Sequence, residues 1–282
     1  EAAAVRLCED IRIMSGDPQA AFLYPSRELC YYEVDSVSRE YEHARLAVLG
    51  ALSAGKKPVV VCSAQAALQY TIPPEILKAR TMTLHQGEQK DPSQLEAFLL
   101  AAGYTRCDQV EGVCQFSRRG GLLDFFPPHM PDPFRIEFWG DEIDTISTFK
   151  TDTQRRVDTV KSVSITPAAE VSEQPEKLLR LLKNAMKSLR GTRGKAAKEK
   201  LTADIEKLES GLSMPTVDRF LPLLYTPATI FDYVDGIFYL CDPANCREAL
   251  QALQKKDHEE LGLLLDEGIL FKGCDTFSGD WV

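Results

Sequence analysis

The 282-residue chain has no long apolar run; Pro58-Val59-Val60-Val61-Cys62 is typical of the short ones it has. A bilayer-crossing helix needs about 20 such residues, so none is expected. A secretory signal is also missing, because the first segment is charged and amphipathic. The chain opens on Glu1 rather than methionine, which reads as the middle of a larger protein. No Cys-x-x-Cys pair occurs among the cysteines at 8, 30, 62, 107, 114, 241, 246 and 274. His43, His85, His129 and His258 are not spaced to complete a zinc site. Reduced, mostly buried thiols of a cytoplasmic protein are expected, with no metal. An excess of positive charge is absent too. The net charge of −9 argues against a protein that coats nucleic acid. Residues 177–200 are the exception, with nine Lys/Arg against Glu199 alone.

The usual signatures of catalysis are lacking as well. Gly191-Thr192-Arg193-Gly194-Lys195-Ala196 superficially looks like a phosphate loop, but its spacing is short and Ala196 occupies the magnesium-binding hydroxyl position. Asp242 closes an apolar run, where nucleotide-driven motors keep a magnesium-holding Asp. Those motors follow it with a water-positioning Glu, and here Pro243 follows instead. Asp242 is accounted for as a helix N-cap. Nucleophile elbow, metal-ligand cluster and glycine-rich dinucleotide fingerprint are all missing, so no catalytic residue is expected.

What is present is the composition of a core-forming protein, 44% hydrophobic and 27% charged. Ala21–Tyr24 and Pro58–Cys62 read as buried strands, with a helix over Arg39–Ala54 between them and another over Ala64–Gln69. The first helix carries a stripe at Tyr41, Ala44, Val48, Ala51 and Leu52 and closes at Gly55. This order predicts a parallel α/β sheet with crossover helices. A helix capped by Asp91 and started by Pro92 follows, with Leu95, Phe98, Leu99 and Ala102 inward and Gly103 at its end. From Tyr104 to about Thr166 the period becomes two: Phe134, Ile136 and Phe138 face one way, Arg135, Glu137 and Trp139 the other. That predicts a small antiparallel β unit with one wet face. Leu178, Leu181, Leu182, Ala185, Met186 and Leu189, then Ala197, Leu201, Ile205 and Leu208, predict a helical hairpin broken at Gly191–Gly194. Gly236–Cys241 reads as a buried strand rejoining the first sheet, with a helix after Asp242-Pro243.

The wet face is rich in arginine beside aromatics: Arg106, Phe116, Arg118, Arg119, Arg135, Glu137 and Trp139. A solvated sheet face has this composition, and so does a protein–protein hot spot. The wording of the segment speaks to that choice. Gly103-Tyr104-Thr105-Arg106, Phe116-Ser117-Arg118-Arg119-Gly120-Gly121-Leu122-Leu123-Asp124-Phe125-Phe126-Pro127-Pro128 and Phe134-Arg135-Ile136-Glu137-Phe138-Trp139-Gly140-Asp141-Glu142-Ile143 closely resemble the N-terminal region of bacterial transcription-repair coupling factors (Mfd). Tyr24-Pro25-Ser26-Arg27-Glu28-Leu29, Arg39-Glu40-Tyr41-Glu42-His43-Ala44-Arg45-Leu46, Thr153-Gln154-Arg155-Arg156 and Ile165-Thr166-Pro167-Ala168 also look like that family. The likeness covers most of the chain to about residue 170.

That family region is similar in turn to the excision-repair protein UvrB. The resemblance implies an α/β, degenerate ATPase-type parallel sheet in two sequence pieces, 1–88 and 168–282, with a small antiparallel β/α+β domain inserted at 89–167 and a basic helical hairpin at 175–210. In both proteins the inserted domain docks UvrA. UvrB carries a damage-probing β-hairpin, for which the short link from Leu29 to Arg39 leaves no room, and it keeps the Asp-Glu pair that Asp242-Pro243 lacks. Carried over by motif, the UvrA-docking residues are Arg119, Arg135 and Glu137, with Phe116, Arg118 and, more loosely, Arg106 beside them. Ser117 stands where UvrB has another arginine. The resemblance implies a non-hydrolysing recruitment module without a cofactor. The parent would be an ATP- and Mg-dependent translocase engaging RNA polymerase and double-stranded DNA through other parts. By alternation the Arg135 head group is expected in water. Two other classes stay open: a UvrB-type ATPase fragment, and a nucleic-acid module using Lys183, Lys187, Arg190, Arg193 and Lys195.

Overall fold

The computed structural model of the chain describes residues 1–32, 38–171, 175–212 and 214–280. Part of the short 29–39 link therefore lies outside the described residues. Helix α1 (Ala2–Ser15) stops at Gly16, whose φ of 67° lets the chain reverse. Its buried Ala4 and Cys8 pack with Ala21 and Val61. Strand β1 (Ala21–Tyr24), helix α2 (Glu40–Ser53) and strand β2 (Val59–Cys62) make the expected crossover, with β1 and β2 parallel from Ala21↔Val59 to Tyr24↔Cys62. Helix α3 (Ala64–Leu68) is capped by the Ser63 hydroxyl, which accepts from the Ala66 N–H at 3.1 Å, and α4 (Pro74–Ala79) follows.

Helix α2 buries a different face from the one its apolar stripe suggests. Val48 and Ala51 are sealed, but Tyr41 is exposed, and Glu42, Arg45, Leu46 and Leu49 are buried in its place. Hydrophobic periodicity cannot show that turn of the helix, because two of the inward residues are charged and find their partners far along the chain. Arg45 donates from Nε to Glu170 Oε1 at 2.5 Å and from Nη1 to the Pro25 carbonyl at 3.1 Å. Its guanidinium lies 4.2 Å from the centre of the Tyr24 ring. Thr71 donates to Glu170 Oε2 at 2.6 Å, Arg27 Nη1 stands 3.6 Å from the same oxygen, and Glu42 accepts the Glu170 N–H at 2.7 Å. Burial alone would raise the Glu170 carboxyl, but Arg45 and Arg27 hold it below the usual carboxylate range. Burial, then the Asp218 carboxylate, push Glu42 up to about 7 against the pull of Arg27 and Arg39.

The β unit runs through β3 (Met82–His85), α5 (Pro92–Ala101), β4 (Thr105–Arg106), β5 (Gln115–Arg119), β6 (Leu122–Phe125), β7 (Phe134–Trp139), β8 (Glu142–Phe149), β9 (Arg156–Val160) and β10 (Ser162–Ile165). Asp91 caps α5 by accepting the Ser93 N–H at 2.7 Å. Strands β4 to β9 form one six-stranded sheet in chain order. Its neighbours are antiparallel except for the short β4–β5 pair. Strand β3 pairs with β10, so the chain enters and leaves this unit side by side. Leu95 and Leu99 of α5 cover Phe116, Leu123, Phe125, Ile136, Ile143 and Ile146, all fully buried. Each such side chain contributes roughly 1.5–3 kcal/mol.

Helices α6 (Pro175–Ser188) and α7 (Gly191–Glu209) pack as a hairpin with Lys183 and Glu209 2.6 Å apart. The break falls at Leu189-Arg190-Gly191, where Gly191 takes a φ of 74°, and does not extend to Gly194. Gly194 is buried inside α7, where an added Cβ would lie 3.0 Å from the Leu189 backbone. It serves close approach, not a turn. A short helix α8 (Leu221–Leu224) leads toward α9 (Pro243–Asp266), whose N-cap Asp242 accepts the Asn245 N–H at 3.2 Å.

The segment before α9 departs most from expectation. Gly236–Cys241 is not a strand, and Ile237, Phe238, Tyr239 and Leu240 are 82%, 56%, 85% and 51% exposed. Among the described residues the parallel sheet has only β1 and β2. A continuous apolar run forms a strand only where a neighbour offers backbone groups, and among the described residues none does here. All eight cysteines are free, and Cys241 is exposed. Among the described residues no helix is long and apolar enough to cross a membrane, and no cluster of His, Cys, Asp and Glu could hold a metal.

Candidate functional site

Strand pairing sorts the polar residues of the β unit onto two faces. Ser117, Asp124, Arg135 and Ser147 stand directly opposite one another in a row across β5, β6, β7 and β8. Arg119 and Glu137 lie two residues along their strands and so share that face. Phe116, Arg118, Leu123 and Ile136 point the other way, toward α5.

Asp124 is the hub of the first face. It is 1% exposed, and its carboxylate binds two arginines. Arg135 donates from Nε to Oδ1 and from Nη2 to Oδ2, each at 2.7 Å. Arg119 Nη2 donates to Oδ2 at 3.1 Å. The Arg135 guanidinium also donates from Nη1 to the Gln154 carbonyl at 3.2 Å and sits 4.7 Å from the Phe149 ring centre. Gln154 can face inward because its φ of 58° folds the 150–155 turn back over the sheet. The hydrogen bond to Asp124 raises the Arg135 pKa despite its burial. The Arg135 side chain is consequently 15% exposed, against 51% for Arg119. The expectation of a water-bathed Arg135 head group is therefore corrected: strand alternation gives the facing, but the turn and Phe149 cover that part of the face.

Farther out on the same face, Glu137 forms an ion pair with Arg156 of β9. Trp139 ends β7 with 84% of its surface exposed, just before the reversal at Gly140, whose φ is 63°. Asp124 and Arg156 were not singled out from the sequence. The signal for Asp124 was a lone carboxylate inside Leu122-Leu123-Asp124-Phe125-Phe126, which must be paired if it is buried.

The remaining expected contacts lie elsewhere. Phe116 is fully buried in the core and cannot touch a partner. Arg118 and Arg106 reach Glu96 of α5, at 3.0 and 2.6 Å, on the helix-covered side. Adjacent strand residues face opposite ways, so Arg118 and Arg119 cannot share a face. Of the basic hairpin, Lys183 pairs with Glu209, Lys187 donates to Asn184 at 3.2 Å, and Arg193 pairs with Asp266 at 2.5 Å. Arg190 donates to the carbonyls of Lys187 and Leu189 at the end of α6, and Lys195 is exposed.

Residues 82–171 match the family model of the UvrB interaction domain. The transcription-repair-coupling factor of Bacillus subtilis (strain 168) is 32% identical over 276 residues, covering 94% of this chain and 23% of that protein. The Haemophilus influenzae protein of the same name is 30% identical over 232 residues, covering 82% of this chain and 20% of its own length. The Staphylococcus aureus (strain MRSA252) protein is 28% identical over 267 residues, covering 91% and 23%. The chain belongs to the transcription-repair coupling factor family. It corresponds to the family's N-terminal region and spans less than a quarter of the length of the curated relatives it matches. In this coupling-factor segment the UvrB interaction domain takes in β3 to β10. Arg119, Asp124, Arg135, Glu137, Trp139 and Arg156 all lie within it.

Proposed function

We propose that this segment recruits UvrA through the sheet face built on Asp124, bringing excision repair to an RNA polymerase stalled at a lesion. One observation carries the reading. Within a UvrB interaction domain, a buried carboxylate holds an arginine whose head group is half in solvent, beside the Glu137–Arg156 pair and the exposed Trp139. Arginine and tryptophan are the residues most enriched in interface hot spots, and guanidinium pairs bidentately with carboxylates.

In this reading the α/β frame is a non-hydrolysing relic of an ATPase. Its support is the missing phosphate loop and Pro243 after Asp242, which here acts as an N-cap. ATP, Mg and double-stranded DNA belong to the translocase motor of the longer, cytoplasmic parent. Purified segment should release no phosphate from ATP with or without DNA; DNA-stimulated release abolished by Asp242→Ala would favour the UvrB-type ATPase instead. Weak, salt-sensitive DNA binding by the α6–α7 hairpin is compatible with the proposal, since several of its cations already have protein partners.

The test is binding of purified UvrA to the segment. Arg119→Ala should lower affinity about thirtyfold, the loss of roughly 2 kcal/mol expected at an interface centre. Full affinity in both Arg119→Ala and Arg119→Glu would place the docking face elsewhere.

A further inference from the structure

The two arginines on Asp124 differ in what they have left to offer. A guanidinium carries five N–H donors. Arg135 commits Nε and Nη2 to Asp124 and Nη1 to the Gln154 carbonyl, while its Nη2 also stands 3.4 Å from Gln154 Oε1. It has no complete fork left for a partner carboxylate. Arg119 commits a single bond, from Nη2, and among the described residues no other group takes its remaining donors. Charge divides in the same way. Asp124 brings one negative charge to two cations, whereas Glu137 and Arg156 neutralise each other. The uncompensated positive charge of the face therefore sits on Arg119, the half-exposed member.

We infer that Asp124 is a positioning residue of the docking face. Its carboxylate locks Arg135 as an inner strut and fixes Arg119 so that its open donors meet a carboxylate of UvrA. The inference rests on the docking reading above and assigns the two arginines unequal roles: Arg119 touches the partner, and Arg135 holds Asp124 in place. Preorganisation of this kind raises affinity because Arg119 does not have to lose side-chain freedom on binding. Asp124 itself is 1% exposed and cannot touch UvrA.

A double-mutant cycle separates positioning from simple structural support. UvrA affinity is measured for the intact segment, Arg119→Ala, Asp124→Asn and the double variant, with a melting curve for each. Asp124→Asn keeps the shape but removes the charge and turns an N–H toward an arginine. It should cost about tenfold in affinity where Arg119 is present and less than about twofold where Arg119 is already alanine. A merely structural Asp124 would cost the same factor in both backgrounds, and that outcome overturns the inference. So does unchanged binding by Asp124→Asn. If Arg119→Ala itself binds normally, the docking reading fails, and the two failures are thus distinguishable. Should Asp124→Asn not fold, Asp124→Glu keeps the charge but displaces it, and the same cycle applies: coupling to Arg119 supports positioning, additivity refutes it.

Discussion

Glu170 and Asp124 are each a buried carboxylate holding two arginines, yet they sit in opposite circumstances. Around Glu170 both arginines are sealed, Arg45 at 0% and Arg27 at 6% exposure. Around Asp124 one arginine is mostly covered and the other is half in water. In the first cluster every charge has lost its hydration, so each stands only because the others are present. It ties α2 to the chain leaving β10, and burial closes it to a partner. In the second, Arg119 keeps part of its hydration and most of its donors, so another protein can complete the set. The same residue types make a structural joint or a docking point according to how far the last arginine is buried.

Removing the hub of the sealed cluster should do the most damage. Glu170→Ala leaves Arg45 and Arg27 as buried cations, a loss of about 3–5 kcal/mol against a typical domain stability of about 5–15. Urea titration should show the midpoint moved well toward lower denaturant. A shift below 1 kcal/mol would mean that water already reaches the cluster.

The pH dependence should come next in size. Glu42 is raised to about 7 in the folded chain, so its contribution is whole below the unfolded glutamate value and fades as pH climbs through 7. Glu170 acts in the opposite sense: its depressed carboxyl contributes above the unfolded value and that contribution is lost as pH falls. Burial also holds the His43 and His129 imidazoles down to about 4, so their contribution is lost as pH falls below the free histidine value, and together they outweigh Glu42 there. Stability should therefore peak at about pH 6.5, fall on the acid side by about 3 kcal/mol and decline only shallowly above it. Glu42→Gln should flatten the high-pH limb in a series of thermal melts; an unchanged limb would clear Glu42 of the effect.

On the docking face the two arginines should part company. Arg135→Ala leaves Asp124 buried with one bond, costing roughly 2–3 kcal/mol of stability as well as UvrA binding. Arg119→Ala should change stability by about 0.5 kcal/mol or less while affinity falls about thirtyfold. Equal melting temperatures for the two variants would remove the distinction between strut and contact.

The smallest effects belong to the helix-covered side. Arg118→Ala and Arg106→Ala break partly buried pairs with Glu96, and each should cost about 1 kcal/mol or less with UvrA affinity unchanged. Loss of UvrA binding in either variant would show that the partner wraps around the sheet edge.

Much of the local structure was legible from sequence. The β1–α2–β2 crossover, the Asp91 and Asp242 caps, and the inward Phe134 and Ile136 against outward Arg135 and Glu137 all follow from short-range rules. They are legible because backbone geometry fixes the periods of 3.6 and 2, and a capping side chain reaches its N–H within a few residues. Arg118 beside Arg119 was open to the same alternation rule, and grouping them by composition ignored it.

Other features had no local signal. Gly236–Cys241 has the pattern of a buried strand and lies exposed, because pairing depends on a neighbour that the pattern does not contain. The inward turn of α2 depends on Glu170, 125 residues beyond Arg45. The covering of Arg135 depends on Gln154 and Phe149, brought over it by a turn. The sequence alone determined which residues could be charged, apolar or capping and which side of a strand each would take. Tertiary structure alone decided which charges met and how much water they kept. Side-chain facing is set by the residue's own backbone, but burial and pairing are set by whatever distant chain arrives on top.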